Sequence, residues 1–286
     1  MIERCAPIAV DPETFIADLE ARGRRFATSC GEGVLVWRCW GSGPPLLLAH
    51  GAGGSWLHWV HTIDALAQHY TVWAVDLPGY GESDLPPEPT QKAISSVLAE
   101  GLVELTAAAL PLDVVGFSFG GVASAYLARY FPELVRRLVL VDTGGLDTPR
   151  GEVDLLGVRG LDAEGRIAVN RHNLLQLMLH AEDSVDALAL CIQALVGTRS
   201  RLNPIPLVLP DRLLQVLPKL TLPVDCIWGE LDQPHPNPTA QEEVLRRFFP
   251  QMQFRVIAGA GHWVMYERPA AFNAALLEIL APGKSP

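Results

Sequence analysis

The stretch LDVVGFSFGGVASAYLARYFP, residues 112–132, places one serine among glycines where an apolar run gives way to helical spacing. Val114 and Val115 carry the β-branched composition of a buried strand. Val122 to Tyr130 has its apolar residues on a helical period. Glycines 116, 120 and 121 weaken either element, because glycine fills no core space and loses the most backbone entropy on ordering. A sharp strand-to-helix turn accounts for all three. Ser118 stands at its tip in strained geometry, with its hydroxyl at the helix N-terminus, and the flanking glycines relieve the crowding. Gly116-Phe117-Ser118-Phe119-Gly120 is therefore the G-x-S-x-G nucleophile elbow, in the strand and helix setting that motif requires.

The same alternation extends outward from this turn. Short β-rich runs, such as Val34 to Trp40, Leu46 to Ala49, Thr71 to Val75, Leu138 to Val141, Val224 to Trp228 and Phe254 to Ala258, are separated by stretches with helical spacing. These include Trp56 to Gln68, Ser95 to Leu110 and Glu242 to Phe249. Alternating strands and helices predict an α/β fold with a mostly parallel central sheet flanked by helices. From Leu146 to about Leu217 the rhythm breaks: helical stretches at Leu174 to His180, Val185 to Val196 and Asp211 to Leu217 occur without a strand. That interval exceeds an ordinary connection. The expected organisation is a core of residues 1–145 and 217–286, with a helical cap, residues 146–216, inserted after the sixth strand. Pro204, Pro206, Pro210 and Pro218 mark the return to the core.

Composition narrows the class of function. The 286 residues are 49% hydrophobic and 19% charged, a globular balance, with a net charge of -10. An acidic chain is poorly suited to nucleic acid or an anionic membrane, so a small-molecule substrate is expected. No apolar run approaches the roughly 18 residues of a membrane span, and MIERCAPIAVDPETF lacks the apolar core of a signal peptide. A cytoplasmic location is expected. Cys5, Cys30, Cys39, Cys191 and Cys226 are scattered and form no CxxC, which fits reduced thiols and gives no metal signature. No cofactor is implied, and the oligomeric state is left open.

A serine hydroxyl needs a base, and the base needs an orienting acid. Among the eight histidines, His262, in VIAGAGHWVMYERP, follows the last strand and precedes the last helix, where its side chain can reach over the sheet edge. His50, beside the glycine loop of LLLAHGAGG, is read as a structural hydrogen-bonding residue. His58, His61, His69, His172, His180 and His235 are read as structural. The acid belongs after a strand between the serine and the histidine. Asp232, in VDCIWGELDQPHP, fits; Glu230 and Asp142 are alternatives, whereas Asp225 lies inside its strand. Acyl transfer also needs donors for an oxyanion. The amide of Phe119, after the serine, is one; HGAGGSW offers the other at Ala52, with Gly53 next. The glycine spacing there matches neither G-x-x-x-x-G-K-S/T nor G-x-G-x-x-G, which argues against nucleotide binding. The turns of VDLPGYGESD, residues 75–84, are read as the rim of the site.

Taken in order, HGAGGSW, DLPGYGESD, GFSFGG, WGELD and GAGHWVMYERP resemble the landmarks of the α/β-hydrolase fold superfamily, from roughly Val34 to Leu280. The resemblance implies a Ser118, Asp232 and His262 triad, an oxyanion hole of Ala52 and Phe119, and a carboxylesterase-like serine hydrolase. Serine at the elbow speaks against the haloalkane dehalogenase and epoxide hydrolase branches, which use aspartate there. Gly261-His262-Trp263 is also similar to the carbon-carbon bond hydrolases of aromatic ring-cleavage products, though HGAGG lacks their Gly-Pro-Gly element. A ligand-binding receptor on the same fold is a further alternative. Trp56, Trp59, Phe117, Phe119, Trp263 and Met265 suggest an apolar pocket, with Gly53, Phe117 and Trp263 as the expected substrate contacts. Arg159, Arg166 and Arg171 are candidates for a substrate carboxylate.

Overall fold

A strand buried on both faces shows a continuous apolar run, with alternate side chains entering different cores. The computed structural model, which describes residues 11–106 and 109–281, shows this in its central strands. Eight strands form one sheet: β1 (Arg24–Cys30), β2 (Gly33–Trp40), β3 (Pro45–Ala49), β4 (Thr71–Val75), β5 (Leu112–Phe117), β6 (Val135–Val141), β7 (Val224–Gly229) and β8 (Phe254–Ile257). Leu47, Val114, Leu138, Leu140, Cys226 and Trp228 face one core, against helices Gln91–Thr106 and Phe119–Tyr130. Leu46, Leu48, Val115, Phe117, Val139, Val141 and Ile227 face the other, against Ile63–Ala67 and Pro269–Leu280.

The sheet order is β1-β2-β4-β3-β5-β6-β7-β8. β1 and β2 are antiparallel, as are β2 and β4, and the pairs from β4 to β8 are parallel. The chain passes from β3 to β4 on one side and then crosses to β5 on the other. That reversal opens a crevice at the carboxyl ends of β3 and β5, where open α/β sheets bind ligands. The parallel strands deliver His50, Ser118, Asp142, Asp232 and His262 to this one edge.

Two elements go beyond the sequence expectations. β1 lies at the sheet edge with one face largely exposed, so it carries Arg24 and Arg25 rather than an apolar run. Helix Pro12–Ala21 starts at Asp11, whose side chain accepts from the Thr14 amide, and buries only Ile16 and Leu19. The expected helix over Trp56 to Gln68 is two pieces, a 3-10 turn at Trp56–Trp59 and a helix at Ile63–Ala67. Between Val141 and Val224 the described residues form helices and no strand, with Ala163–Asn173 and Ala187–Gly197 the longest helices. Among the described residues, no helix is long and apolar enough to cross a membrane. Cys5 and the first ten residues, on which the reading of the amino terminus rests, lie outside the described residues. The other four cysteines are free thiols; burial, with the Asp84 charge next, pushes the Cys30 thiol up to about 11.

One buried cation organises the rim. Arg38, 2% exposed, forms ion pairs with Glu20 and Glu82 at 2.6 Å and with Asp76 at 3.4 Å, and lies 4.9 Å over the Trp56 ring. Burial opposes its charge, but Asp76, Glu82 and Glu20 outweigh burial and raise its pKa. Asp76 in turn accepts from the amides of Trp56 and Glu82 at 2.8 and 3.0 Å, tying the loop after β4 to the loop after β3. Replacing Arg38 with Leu strands the buried Asp76 carboxylate without its cation. This substitution is expected to cost about 3–5 kcal/mol, read as a lower urea midpoint with an unchanged m value.

Candidate active site

β5 ends at Phe117, and Ser118 adopts φ 51° and ψ −119° before helix Phe119–Tyr130 begins. A positive φ is strained for a residue with a Cβ. The Ser118 amide, donating to the Val141 carbonyl at 2.8 Å, holds it there. The glycines are required by close approach: a Cβ on Gly120 would lie 2.3 Å from the Ala49 carbonyl oxygen, and one on Gly116 would lie 2.6 Å from that of Gly120. The helix N-terminus thus sits directly against the end of β3.

His262 Nε2 lies 3.0 Å from Ser118 Oγ, and its Nδ1 lies 3.0 Å from Asp232 Oδ1. With Nδ1–H donating to the carboxylate, Nε2 is left to accept the serine proton. The loops carrying the two residues are fastened by backbone: Glu230 donates to Ile257 at 3.0 Å, and Leu231 donates to Ala260 at 2.8 Å. Gly229 packs so tightly that a Cβ would meet the Gly261 carbonyl at 2.2 Å.

Asp232 is fully buried. Its Oδ2 accepts from His235 Nδ1 at 3.0 Å, so two imidazoles share one carboxylate. Burial pushes Asp232 upward, but His262 and His235 outweigh it and hold the carboxyl below the ordinary range. Asp142, at the end of β6 with φ 41°, accepts from the Gly229 amide at 2.7 Å. Burial, with the Asp232 charge next, raises it well above the usual carboxylate range. Glu230 is turned outward and accepts from the Gly259 amide. Asp225 accepts from the Gln253 amide and faces Arg137. Of the four acids weighed from sequence, only Asp232 meets His262.

A pocket of about 240 Å³ opens over Ser118, lined by Ala52, Phe117, Phe119, His235 and His262, and, from the helical segment between β6 and β7, by Leu177, Met178, Ile205 and Val208. Among the described residues the Ala52 and Phe119 amides have no protein acceptor. Two histidines set the Ala52 loop. His50 Nδ1 lies 2.7 Å from the Gly51 carbonyl, and its Nε2 accepts from the Leu77 amide at 2.8 Å, which fixes its tautomer. His58 Nδ1 accepts from the Gly51 amide at 3.3 Å. Burial, then repulsion from His50 and His262, drives the His58 pKa well down and keeps it a neutral acceptor.

A family model for the alpha/beta hydrolase family matches residues 46–275, from β3 into helix Pro269–Leu280. The chain belongs to that family. An uncharacterized protein of Mycobacterium tuberculosis is 30% identical over 273 residues, covering 83% of this chain and 75% of the relative. A pimeloyl-(acyl-carrier protein) methyl ester esterase of Vibrio vulnificus is 28% identical over 262 residues, covering 86% and 97%. The naproxen esterase structure of Bacillus subtilis superposes with a TM-score of 0.74 at 20% identity, covering 98% and 100%, a likeness of fold.

Within this alpha/beta hydrolase, the structure brings together Ser118, Asp232, His262, Ala52, Phe119 and Phe117. Gly53 and Trp263 do not line the pocket. Gly53 takes φ 67° with open space around it. Trp263 is buried, stacks on Tyr266 at 4.2 Å and donates from Nε1 to the His58 carbonyl. Arg159, Arg166 and Arg171 are also absent from the lining; Arg150 is there instead. Two residues that sequence reasoning missed bear directly on the site. His235, in the Pro-rich DQPHP, is the second partner of Asp232. Glu267, in YERP, is buried and accepts from the amides of Gly261 at 2.6 Å and Ala181 at 2.7 Å, and from His180 at 3.1 Å. Neither has a recognisable spacing; proximity to the motif residues was the only signal.

Asp232, His235 and His262 place possible ligand atoms within 4.8 Å of one another. Both imidazoles, however, turn Nδ1 to the carboxylate, so these atoms already satisfy one another as a hydrogen-bond network. A larger cleft, about 680 Å³, lies at the opposite edge of the sheet beside Pro44, Asp113 and Arg136; its Asp113 and Arg136 are paired together at 2.8 Å. The close approach at the elbow has a measurable consequence. Gly120→Ala must push the helix off the end of β3, at an expected cost of about 1–3 kcal/mol in urea unfolding.

Proposed function

We propose that this chain is a serine hydrolase that cleaves a small-molecule carboxylic ester through an acyl-enzyme intermediate. Ser118 is the nucleophile, His262 the base and Asp232 the acid, and the Ala52 and Phe119 amides form the oxyanion hole. The observation that carries this reading is the hydrogen-bond chain from Ser118 Oγ through His262 to buried Asp232, with 3.0 Å at each link. The Vibrio relative, an ester hydrolase by name, aligns with most of the chain and supports ester chemistry.

As Ser118 Oγ bonds to the carbonyl carbon, its proton passes to His262 Nε2. The carbonyl electron pair moves onto oxygen, which the two amides hold. Collapse re-forms the carbonyl and breaks the bond to the alcohol oxygen, which takes the proton from Nε2. Water then attacks the acyl-enzyme, giving its proton to Nε2, and Ser118 is released with that proton. Asp232 holds the imidazole in the Nδ1–H tautomer and stabilises its positive charge in each half. Residues 146–216 serve as the cap, and Leu177, Met178 and Ile205 supply the apolar wall opposite Ser118.

The test is hydrolysis of short- and medium-chain nitrophenyl esters, with product followed beyond one equivalent of enzyme. Sustained turnover is expected, with kcat lower on the order of 10⁶-fold in Ser118→Ala. A single equivalent of product, without turnover, would support the receptor alternative. Asp232→Asn, which permits the wrong tautomer, is expected to lower kcat by about 10⁴-fold.

A further inference from the structure

Arg150 is a cation in a pocket whose other lining is apolar or already engaged. Apart from Ser118, His235 and His262, the remaining lining side chains are apolar or glycine, and none is acidic. The chain has 32 acidic side chains against 22 Lys and Arg, and many of its arginines are paired with carboxylates: Arg22 with Asp64, Arg25 with Glu82, Arg136 with Asp113, Arg246 with Glu242. Arg150, among the described residues, has no hydrogen bond or ion pair.

Its backbone, by contrast, is anchored on both sides. Thr148 Oγ1 meets Gln241 Oε1 at 2.8 Å, and the Gly151 amide donates to Pro234 at 3.4 Å. Gln233 Nε2 donates to the Glu152 carbonyl at 3.1 Å. A Cβ on Gly151 would fall 2.0 Å from the Gln233 carbonyl, so the two segments touch. Residues 233 and 234 belong to the loop that also carries Asp232 and His235. The backbone on both sides of Arg150 is therefore held in register with the loop that carries the reacting groups, and Arg150 itself is an exposed residue of the lining whose donors have no acceptor among the described residues.

We propose that Arg150 is the anion-binding residue of this pocket and that the substrate is an ester bearing a free carboxylate, such as a half-ester of a short dicarboxylic acid. This rests on the serine hydrolase reading and adds the substrate class to it. A guanidinium pairs with a carboxylate through two parallel donors, and no acidic side chain lines this pocket to compete for it. The carboxylate end is held by Arg150 while the ester carbonyl meets Ser118 and the two amides.

The experiment compares kcat/KM for a monomethyl dicarboxylate with that for the neutral methyl ester of matched length, in wild type, Arg150→Gln and Arg150→Lys. The half-ester is expected to be preferred by the wild type. Arg150→Gln is expected to lower the half-ester to neutral-ester ratio by about 10- to 100-fold, the worth of a charge-assisted hydrogen bond, and Arg150→Lys to restore part of it. A ratio unmoved in Arg150→Gln overturns the proposal, whether both activities fall together or neither changes. A second readout does not depend on turnover. Calorimetry of the half-ester with Ser118→Ala should show binding that weakens by the same factor in Ser118→Ala/Arg150→Gln. If neither ester is hydrolysed but this difference in binding persists, the esterase reading fails and the anion site stands; equal binding to both variants removes the anion site alone.

Discussion

A carboxylate with no exposure to water must be compensated where it stands, and Asp232 is the point on which the rest of the site turns. The two imidazoles that approach its two oxygens, together with the His235 amide, replace the hydration it has lost. Its neighbour Asp142, at the end of an adjacent strand, is pushed the other way, upward, by burial and by the Asp232 charge. Every other constraint at this edge of the sheet serves to keep that cluster in register. The 229–232 turn is stitched to the 257–260 loop by backbone hydrogen bonds, Gly229 admits the opposing chain, and Asp142 fixes the Gly229 amide.

The geometry of the elbow follows from the same economy of space. Ser118 is held in a conformation it would not choose, by the Val141 carbonyl behind it and by a helix that begins within contact of Ala49 and His50. His50 and His58 then brace the neighbouring loop from two sides, each in a tautomer dictated by its partner. The Ala52 amide is left without a protein acceptor while its neighbours Gly51 and Gly54 donate to His58 and to the Gly51 carbonyl. An empty pair of donors beside a strained serine is a consequence of packing before it is a catalytic device.

Much of this was legible from residue order. The central strands were readable because burial on both faces writes an unbroken apolar run, and Thr71–Val75 matches its expectation residue for residue. Ser118 and His262 were readable because small residues mark the turns that present them. Asp232 was separable from Glu230 and Asp142 only in part, since all three follow strands; direction of the side chain, which spacing does not record, decides between them. β1 and helix Pro12–Ala21 escaped because each buries only a few side chains and leaves little periodic signal. His235, Glu267 and Arg150 escaped for a different reason. Glu267 and Arg150 depend on contact between segments far apart in the chain, whereas His235 meets Asp232 three residues away through a turn whose side-chain directions spacing does not record.

The hydrogen bonds around Glu267 join two regions usually thought of separately. Its carboxylate gathers the amides of Gly261, His180 and Ala181, and the Trp263 amide reaches the Met178 carbonyl at 2.7 Å. The turn that walls one side of the pocket and the loop that carries His262 are thereby one mechanical body. Lifting that wall would carry the imidazole away from Ser118, so an opening on this flank and a disassembled site are the same event. The segment that carries Arg150 is tied in the same way to residues 233 and 234 beside Asp232, so neither wall is fastened independently of the groups that transfer the proton.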